Sequence, residues 1–124
     1  MKDLSVKVLD DEDEEFVDIL IKQGLKRNTA KVLAYLKGVD TATSKDLEVG
    51  SDLRQPEVSI AMRELRAHGW VTETDEKKPG KGRPYKVYSL KVPISEIIVK
   101  LEEKKKIEVE EAMKNIERLK ALSA

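Results

Sequence analysis

The sequence predicts a mainly α-helical domain with one small β-hairpin, followed by a single long C-terminal helix. Three observations lead to this fold class. Apolar residues recur at spacings of three and four over most of the chain, as on one face of a helix. Residues 70–76 and 85–90 instead alternate, and a loop rich in glycine and proline separates them. After residue 93 neither glycine nor proline interrupts the helical spacing.

Length and composition limit the classes of protein that the chain can form. Its 124 residues give room for one domain with a helical extension. Charged residues make up 39%, with 24 acids and 24 bases, a lysine- and glutamate-rich composition typical of thermophile proteins. The absence of cysteine excludes disulfides, thiolate metal sites and cysteine nucleophiles. With no signal pattern and no apolar run near the roughly 20 residues that span a bilayer, we expect a cytoplasmic protein without a membrane segment.

The N-terminal third is predicted to hold two helices. Residues 1–11 are expected to be flexible or to form a short strand. A first helix is predicted over residues 12–23, and Gly24 ends it because glycine tolerates the left-handed conformation that closes helices. Asn28 is predicted to cap a second helix, which Gly38 ends. The mainly apolar face of the first helix consists of Phe16, Ile19, Leu20 and Gln23.

Two short helices joined by a turn are predicted next. Thr43 and Asp46 form a capping box, in which each side chain accepts a hydrogen bond from the other residue's backbone amide. Residues 50–52 form the turn. Gln55 is predicted to cap the following helix, and Pro56 to take its first position, where the missing N–H costs nothing.

The second helix of this pair has a clear apolar side. Val58, Met62 and Leu65 recur at i, i+4 and i+7, so we expect them to be buried. Gly69 is predicted to close the helix in the left-handed conformation. Trp70 begins the first alternating run and is expected to belong to the core beneath the sheet.

A basic loop connects the two alternating runs. Residues 77–86 hold five positive charges and no negative charge, in a chain whose formal net charge is zero. The loop is too long for a two-residue hairpin and too rich in glycine and proline to pack into a core, so we expect a mobile surface wing. Its cations would either follow a phosphate backbone or only protect the strand edges from other strands.

The last helix begins at Pro93 and extends nearly to residue 124, about 45 Å at 1.5 Å per residue. Because a domain of this size offers it little core, its apolar stripe is expected to pack against a second copy of the chain. Lysines at residues 104–106 interrupt the stripe and argue against a long regular coiled coil. A short antiparallel pairing, packing across the partner's first helix, and folding back on its own domain all stay open. The predicted dimerisation residues are Ile94, Ile98, Leu101, Val109, Met113, Ile116 and Leu119.

The order of helix, turn, helix and basic hairpin resembles that of winged helix-turn-helix transcriptional regulators of the MarR, ArsR and TrmB-like kind, in the small form common in archaea. The resemblance covers residues 12–90 and rests on three segments. Residues 47–53 resemble the first helix and turn of the motif, and residues 56–71 follow the rhythm of its second helix and first strand. Residues 82–88 resemble the wing. Each segment alone is a weak signal, and their common order and spacing make the resemblance more specific.

This resemblance implies a winged helix-turn-helix DNA-binding domain over residues 12–91, a dimerisation helix over residues 92–124, and double-stranded DNA as the partner. It calls for no cofactor and leaves room for an unknown small-molecule effector. One departure concerns the exposed face of the second motif helix, where relatives often have polar or basic side chains and this chain has Ile60 and Ala61. With the acidic Glu57 nearby, base readout would be sparse and would rely on thymine methyl contacts or on DNA shape.

In such a domain the N-terminal part of the second motif helix enters the major groove. There Arg54 suits guanine and Gln55 suits adenine, each through two hydrogen bonds. The alternatives are surface ion pairs for Arg54 and Arg63, and a plain capping role for Ser44. The predicted DNA-binding residues are Ser44, Lys45, Arg54, Gln55, Pro56, Ser59, Arg63, Lys78, Lys81 and Arg83.

These observations predict a DNA-binding transcriptional regulator, most simply a repressor, that binds a pseudo-palindromic site in double-stranded DNA as a homodimer. The alternatives are a winged-helix protein-interaction module and a non-specific architectural DNA binder. No nucleophile, phosphate-loop or paired-carboxylate pattern is present, so we expect no catalytic residue and no enzymatic activity. The single histidine, His68, lacks the neighbouring ligands of a metal site.

Overall fold

The computed structural model describes residues 8–77 and 84–124. Their contacts divide the chain into two units, residues 1–92 and residues 93–124, and each unit is described by itself. The second unit is one helix, α5 (Ile94–Ser123). The predicted class, mainly helical with a small hairpin and a long last helix, is confirmed. The first unit contains α1 (Asp11–Lys22), α2 (Arg27–Leu36), β1 (Ala42–Thr43), α3 (Ser44–Ser51), α4 (Gln55–Ala67), β2 (Val71–Glu76) and β3 (Tyr85–Leu90).

The three strands form one antiparallel sheet in the order β1-β3-β2. Strands β2 and β3 are the predicted hairpin, and their register begins with Val71 opposite Leu90. Strand β1 pairs with the other side of β3, where Thr43 lies opposite Val87. No residue pattern indicated β1, because a strand of two residues is too short to show alternation.

Helix α2 is the centre of the first unit. Val32, Leu33, Ala34 and Leu36 are at most 1% exposed, and α2 contacts α1, α3, α4 and β3. The predicted cap at Asn28 is wrong, because the helix begins at Arg27 and its N-cap residue makes no side-chain capping bond. Packing on every side therefore stabilises this helix without help from a cap.

The predicted apolar face of α1 is only partly correct. Leu20 is buried, but Ile19 is 48% exposed and Val17 takes the inward position. Asp13 is also buried, since it accepts the backbone N–H of Asp10 at 3.1 Å. The apolar residues of α1 lie on two neighbouring faces of the helix. The face that packs inward also carries the carboxylate of Asp13.

The capping box at the start of α3 is confirmed. The Thr43 hydroxyl accepts the Asp46 N–H at 3.1 Å, and the Asp46 carboxylate accepts the Thr43 N–H at 3.0 Å. The helix continues through Ser51, so the turn that follows centres on Asp52, whose φ of 55° is left-handed. Aspartate is one of the few residues other than glycine that tolerates this conformation.

Helix α4 begins one residue before its predicted start. Arg54 rather than Gln55 is the N-cap, and Pro56 occupies the second helical position rather than the first. The cause lies in the first turn, where the Glu57 carboxylate accepts the Arg54 backbone N–H at 2.8 Å. A proline in the first turn still loses no hydrogen bond, because none of the first four N–H groups has a helical partner.

The buried side of α4 is as predicted, with one addition. Val58, Met62 and Leu65 are at most 1% exposed, and Ala61 joins them at 1%. Ala61 was expected on the exposed face, and this expectation is wrong because it lies three residues after Val58 on the same side. Gly69 has the predicted left-handed conformation, with φ of 78°.

Helix α5 spans 30 residues, and Pro93 is its N-cap. From residue 102 to residue 124 every side chain is exposed. Apolar side chains are among them, with Ile107, Val109 and Met113 each more than half exposed. Within the described ranges, neither α5 nor a shorter helix has the run of apolar residues that crossing a membrane requires.

Candidate nucleic-acid interface

The first unit has an open groove between α3, α4 and the sheet, with a volume of about 600 Å³. We call it the α3–α4 groove. Its walls come from the N-terminal half of α3, one stripe along α4, and strands β2 and β3. The lining residues are Ser44, Lys45, Glu48, Gln55, Ser59, Met62, Arg63, Arg66, Glu73, Lys86 and Tyr88.

The groove brings together half of the predicted DNA-binding residues. Gln55, Ser59 and Arg63 follow one another at intervals of four and therefore point from the same side of α4. Ser44 and Lys45 reach the groove from the first turn of α3. The capping box fixes that turn, so both the backbone amides and the lysine lie at a helix N-terminus, where anions bind favourably.

The other predicted residues do not line this groove. Arg54 and Pro56 are exposed and are not among its lining residues, and residue 56 is turned by about 100° from residue 55 around the helix. Lys78, Lys81 and Arg83 lie outside the described residues.

Two hydrogen bonds organise the polar side chains in the groove. The Gln55 amide donates from Nε2 to Oγ of Ser59 at 2.8 Å. The Ser44 hydroxyl donates to the Glu48 carboxylate at 3.3 Å. Both donors are at the surface, so each bond can be exchanged at small cost for one to a base edge or a phosphate.

The four cationic side chains that line the groove form two groups, which differ in whether they contact a carboxylate. Lys45 and Arg63 make no ion pair in the part of the chain that the structure describes. Arg66 and Lys86 both contact the Glu73 carboxylate: Arg66 through Nη1, and Lys86 through Nζ at 3.1 Å. Lys86 also donates a hydrogen bond to Asp75 at 3.3 Å. The bond to Glu73, and after it the bond to Asp75, raises the pKa of Lys86.

Arg66 and Lys86 line the groove but were not among the predicted residues, and neither were the acids Glu48 and Glu73 beside them. Arg66 was open to prediction, because it follows Ser59 by seven residues and so shares its side of the helix. Tyr88 was read only as a strand residue, and it is buried at the floor of the groove. Its burial raises the pKa of the phenol, and the negative charge of Glu73 adds to the effect.

The opposite side of α4 is acidic and faces α2. Glu64 accepts hydrogen bonds from Lys26 Nζ at 2.8 Å and Thr29 Oγ1 at 2.5 Å, and these bonds lower its pKa. Ile60, at 52% exposure, borders a small cleft of about 200 Å³ beside these residues. The Lys26 ammonium group is thus paired with an acid of α4. A surface ion pair of Arg63 with a neighbouring acid, which was the alternative to DNA contact, is not among the contacts of the described residues.

Comparison with known proteins identifies the fold of this chain through solved structures alone. No protein-family model matches the chain, and no curated protein matches it at a significant level. Solved structures do match. TrmBL2, described as an archaeal chromatin protein with a novel mode of DNA binding, aligns with 88% of this chain at a TM-score of 0.64 and 19% identity. This chain spans only 39% of the length of TrmBL2.

Two further structures align over most of the chain. A possible transcriptional regulator from Methanosarcina mazei covers 82% of it at a TM-score of 0.61 and 16% identity, with 87% of that protein matched. A MarR family transcription regulator covers 79% at a TM-score of 0.50 and 16% identity, with 61% matched. At these identities the likeness establishes the fold. The chain has the winged helix-turn-helix fold of MarR- and TrmB-like regulators, as its sequence predicted.

Proposed function

We propose that this protein is a DNA-binding transcriptional regulator, not an enzyme, and that the α3–α4 groove is its DNA-binding surface. The observation that carries the proposal is the composition of the groove, where five of the predicted DNA-binding side chains and four cations line one concave face of a winged helix-turn-helix fold. The proposed site of action is the cytoplasm. The structural neighbours described as regulators and as a chromatin protein support this class of function.

Each part of the groove has a proposed role. The first turns of α4 enter the major groove, where Gln55 reads adenine and Arg63 reaches guanine or a phosphate. Lys45 and the amide groups at the start of α3 hold a phosphate. Arg54 is proposed to contact DNA at the edge of the major groove. Lys78, Lys81 and Arg83 are proposed to follow the DNA backbone.

The binding unit is proposed to be a homodimer that places two copies of α4 about one DNA turn, or roughly 34 Å, apart on a pseudo-palindromic site. Such a protein represses most simply by covering a promoter. The dimer contact is assigned to α5, because Val109, Met113, Ile116 and Leu119 are between 43% and 65% exposed. Apolar side chains at that spacing on a helix of this length are typical of a helix that packs against another helix.

Four of the predicted dimerisation residues, together with Lys105 and Ala112, have a spacing that supports an antiparallel pair of α5 helices; these four are Ile98, Leu101, Ile116 and Leu119. Read from either end, positions 98, 101, 105, 112, 116 and 119 have the same spacing about a midpoint between residues 108 and 109. An antiparallel pair with that centre places Ile98 opposite the partner's Leu119 and Lys105 opposite the partner's Ala112, whose small side chain leaves space for the lysine. A parallel pair would instead place Lys105 against its own copy, where like charges repel.

Single cysteines test this arrangement cleanly, because the chain has none of its own. In the antiparallel pair, a thiol from Val109→Cys lies next to its own copy, whereas thiols from Ile98→Cys are about 30 Å apart. A short bifunctional thiol reagent should therefore cross-link only the first variant. Cross-linking of both would indicate a parallel pair, and cross-linking of neither would refute a dimer through α5.

DNA binding itself is tested by mixing the purified protein with random genomic fragments at about 50 and 200 mM salt and sequencing the bound ones. A two-fold symmetric sequence that stays enriched at the higher salt would support the dimeric regulator. Binding without sequence enrichment that disappears at the higher salt would support an architectural role, which the likeness to the chromatin protein TrmBL2 makes the second candidate. No binding at low salt would refute both and favour a protein-interaction module.

A further inference from the structure

Glu73 occupies an unexpected position for an acid, because it lies inside the surface that is proposed to receive phosphates. It projects from β2 into the α3–α4 groove, and its side chain is only 24% exposed. One carboxylate oxygen contacts Arg66 of α4 and the other contacts Lys86 of β3 at 3.1 Å. A single carboxylate thus contacts two of the four cations that line the groove, and Lys86 is also paired with Asp75 at 3.3 Å.

These contacts are made by side chains that DNA could also reach. Arg66 and Lys86 are 40% and 52% exposed, so both are open to solvent on the side away from Glu73. Among the lining residues of the described chain, Lys45 and Arg63 are left as cations without a carboxylate partner. The groove therefore presents two available cations and two that are already neutralised.

We propose that Glu73 limits the affinity of this protein for DNA by competing with phosphates for Arg66 and Lys86. When a duplex enters the groove, its phosphates must displace the carboxylate from both cations or leave them paired and forgo the contacts. In either case the nearby negative charge of Glu73 opposes the approach of a phosphate. The inference rests on the proposed DNA binding and adds a role for one residue within it.

This competition involves phosphates and not bases, so it acts on all DNA sequences alike. Phosphate contacts set affinity and salt dependence, whereas base contacts in the major groove set sequence preference. Removal of the Glu73 charge should therefore tighten binding to random DNA and to a selected site by the same factor. The sequence preference that Gln55 is proposed to provide should stay as it is.

The test is the affinity of the full chain for a fluorescent random-sequence duplex, measured by anisotropy at several salt concentrations. Glu73→Gln should bind about tenfold more tightly than the wild-type protein at low salt, because one opposing charge is removed beside two cations. The dependence of log affinity on log salt should steepen by roughly one per protomer, because Arg66 becomes available to phosphates while Lys86 keeps its ion pair with Asp75 at 3.3 Å.

Glu76→Gln is the matched control, because it removes the same charge from the same strand at an exposed position outside the groove. We expect its affinity to change less than about threefold. Glu73→Thr serves as a second variant if glutamine disturbs the strand, since threonine favours β-structure. Circular dichroism establishes that each variant is folded.

The possible results distinguish a role for Glu73 from the DNA binding on which it depends. A tenfold gain with Glu73→Gln, a steeper salt dependence and an unchanged ratio between selected and random DNA would support the role of Glu73. Unchanged or weaker binding by both Glu73 variants, or an equal gain with Glu76→Gln, would overturn it while leaving DNA binding intact. A wild-type protein that binds no DNA at low salt would refute the proposed function, and this inference with it.

Discussion

Helices α4 and α5 both carry apolar residues at helical spacing, yet their surroundings differ. In α4, Val58 and Leu65 are fully buried, and a neighbouring polar stripe lines a groove. In α5, Met113 and Ile116 have the same kind of spacing and are 53% and 43% exposed. An apolar stripe on a helix therefore indicates a surface that packs against another helix or sheet. Whether that surface belongs to the chain's own core depends on which elements the topology places beside it.

The largest expected effect comes from shortening a buried side chain of α4. Leu65→Ala should lower the free energy of unfolding by about 2–5 kcal/mol, because it leaves a cavity in the core. Met113→Ala in α5 should change it by less than about 0.5 kcal/mol at protein concentrations low enough to keep the chain monomeric. Urea unfolding of both variants tests this difference. Equal losses would show that α5 also belongs to the core of one chain.

A smaller effect is expected on the polar side of α4. Arg63→Ala should weaken binding to any duplex by about 1 kcal/mol, or roughly fivefold, and should reduce the salt slope by about one per protomer. Lys114→Ala removes an exposed charge from α5 and should leave the affinity within about twofold. Anisotropy titrations at several salt concentrations measure both. An equal loss from the two variants would mean that net charge, and not the groove, governs binding.

The smallest effect concerns the acidic side of α4. The pKa of Glu64 lies below its ordinary value because Lys26 and Thr29 donate hydrogen bonds to its carboxylate. A lowered folded-state pKa means that this contact stabilises the protein at neutral pH and that the stabilisation is lost as the pH falls through that value. Glu64→Gln should therefore cost about 0.5 kcal/mol at pH 7, and the cost should disappear as the pH falls through the lowered pKa of Glu64.

Urea unfolding of Glu64→Gln at neutral and acid pH measures this change. A cost that persists in acid, where the Glu64 carboxylate is protonated, would show that the shape of the side chain matters more than its charge. Glu57→Gln, on the same side of α4 but with its carboxylate bound to a backbone N–H, provides the comparison.

Local chemistry explains which parts of the fold could be predicted. The Thr43–Asp46 capping box and the left-handed Gly69 depend on residues within one turn of each other, and both were predicted correctly. The start of α4 was misplaced by one residue because Glu57, not Gln55, provides the capping interaction. The inward side of α1 depends on the neighbouring helix, which no spacing within α1 can reveal.

The candidate site shows the same division. The stripe of Gln55, Ser59 and Arg63 follows from helical spacing alone, and the structure places all three in one groove. The pairing of Glu73 with Arg66 could not be predicted, because it joins a strand to a helix through a turn whose direction the sequence does not specify. The contribution of the basic residues between the two strands stays a prediction, since they lie outside the described residues.

Thr43 belongs to two elements at once, and this has a mechanical consequence. Its backbone pairs with β3 opposite Val87, while its hydroxyl caps the first turn of α3. A displacement of the hairpin is therefore transmitted to the helix end that carries Ser44 and Lys45, without an intervening flexible segment. In the proposed complex with DNA, the position of the phosphates that α3 contacts is therefore coupled through Thr43 to the position of β3.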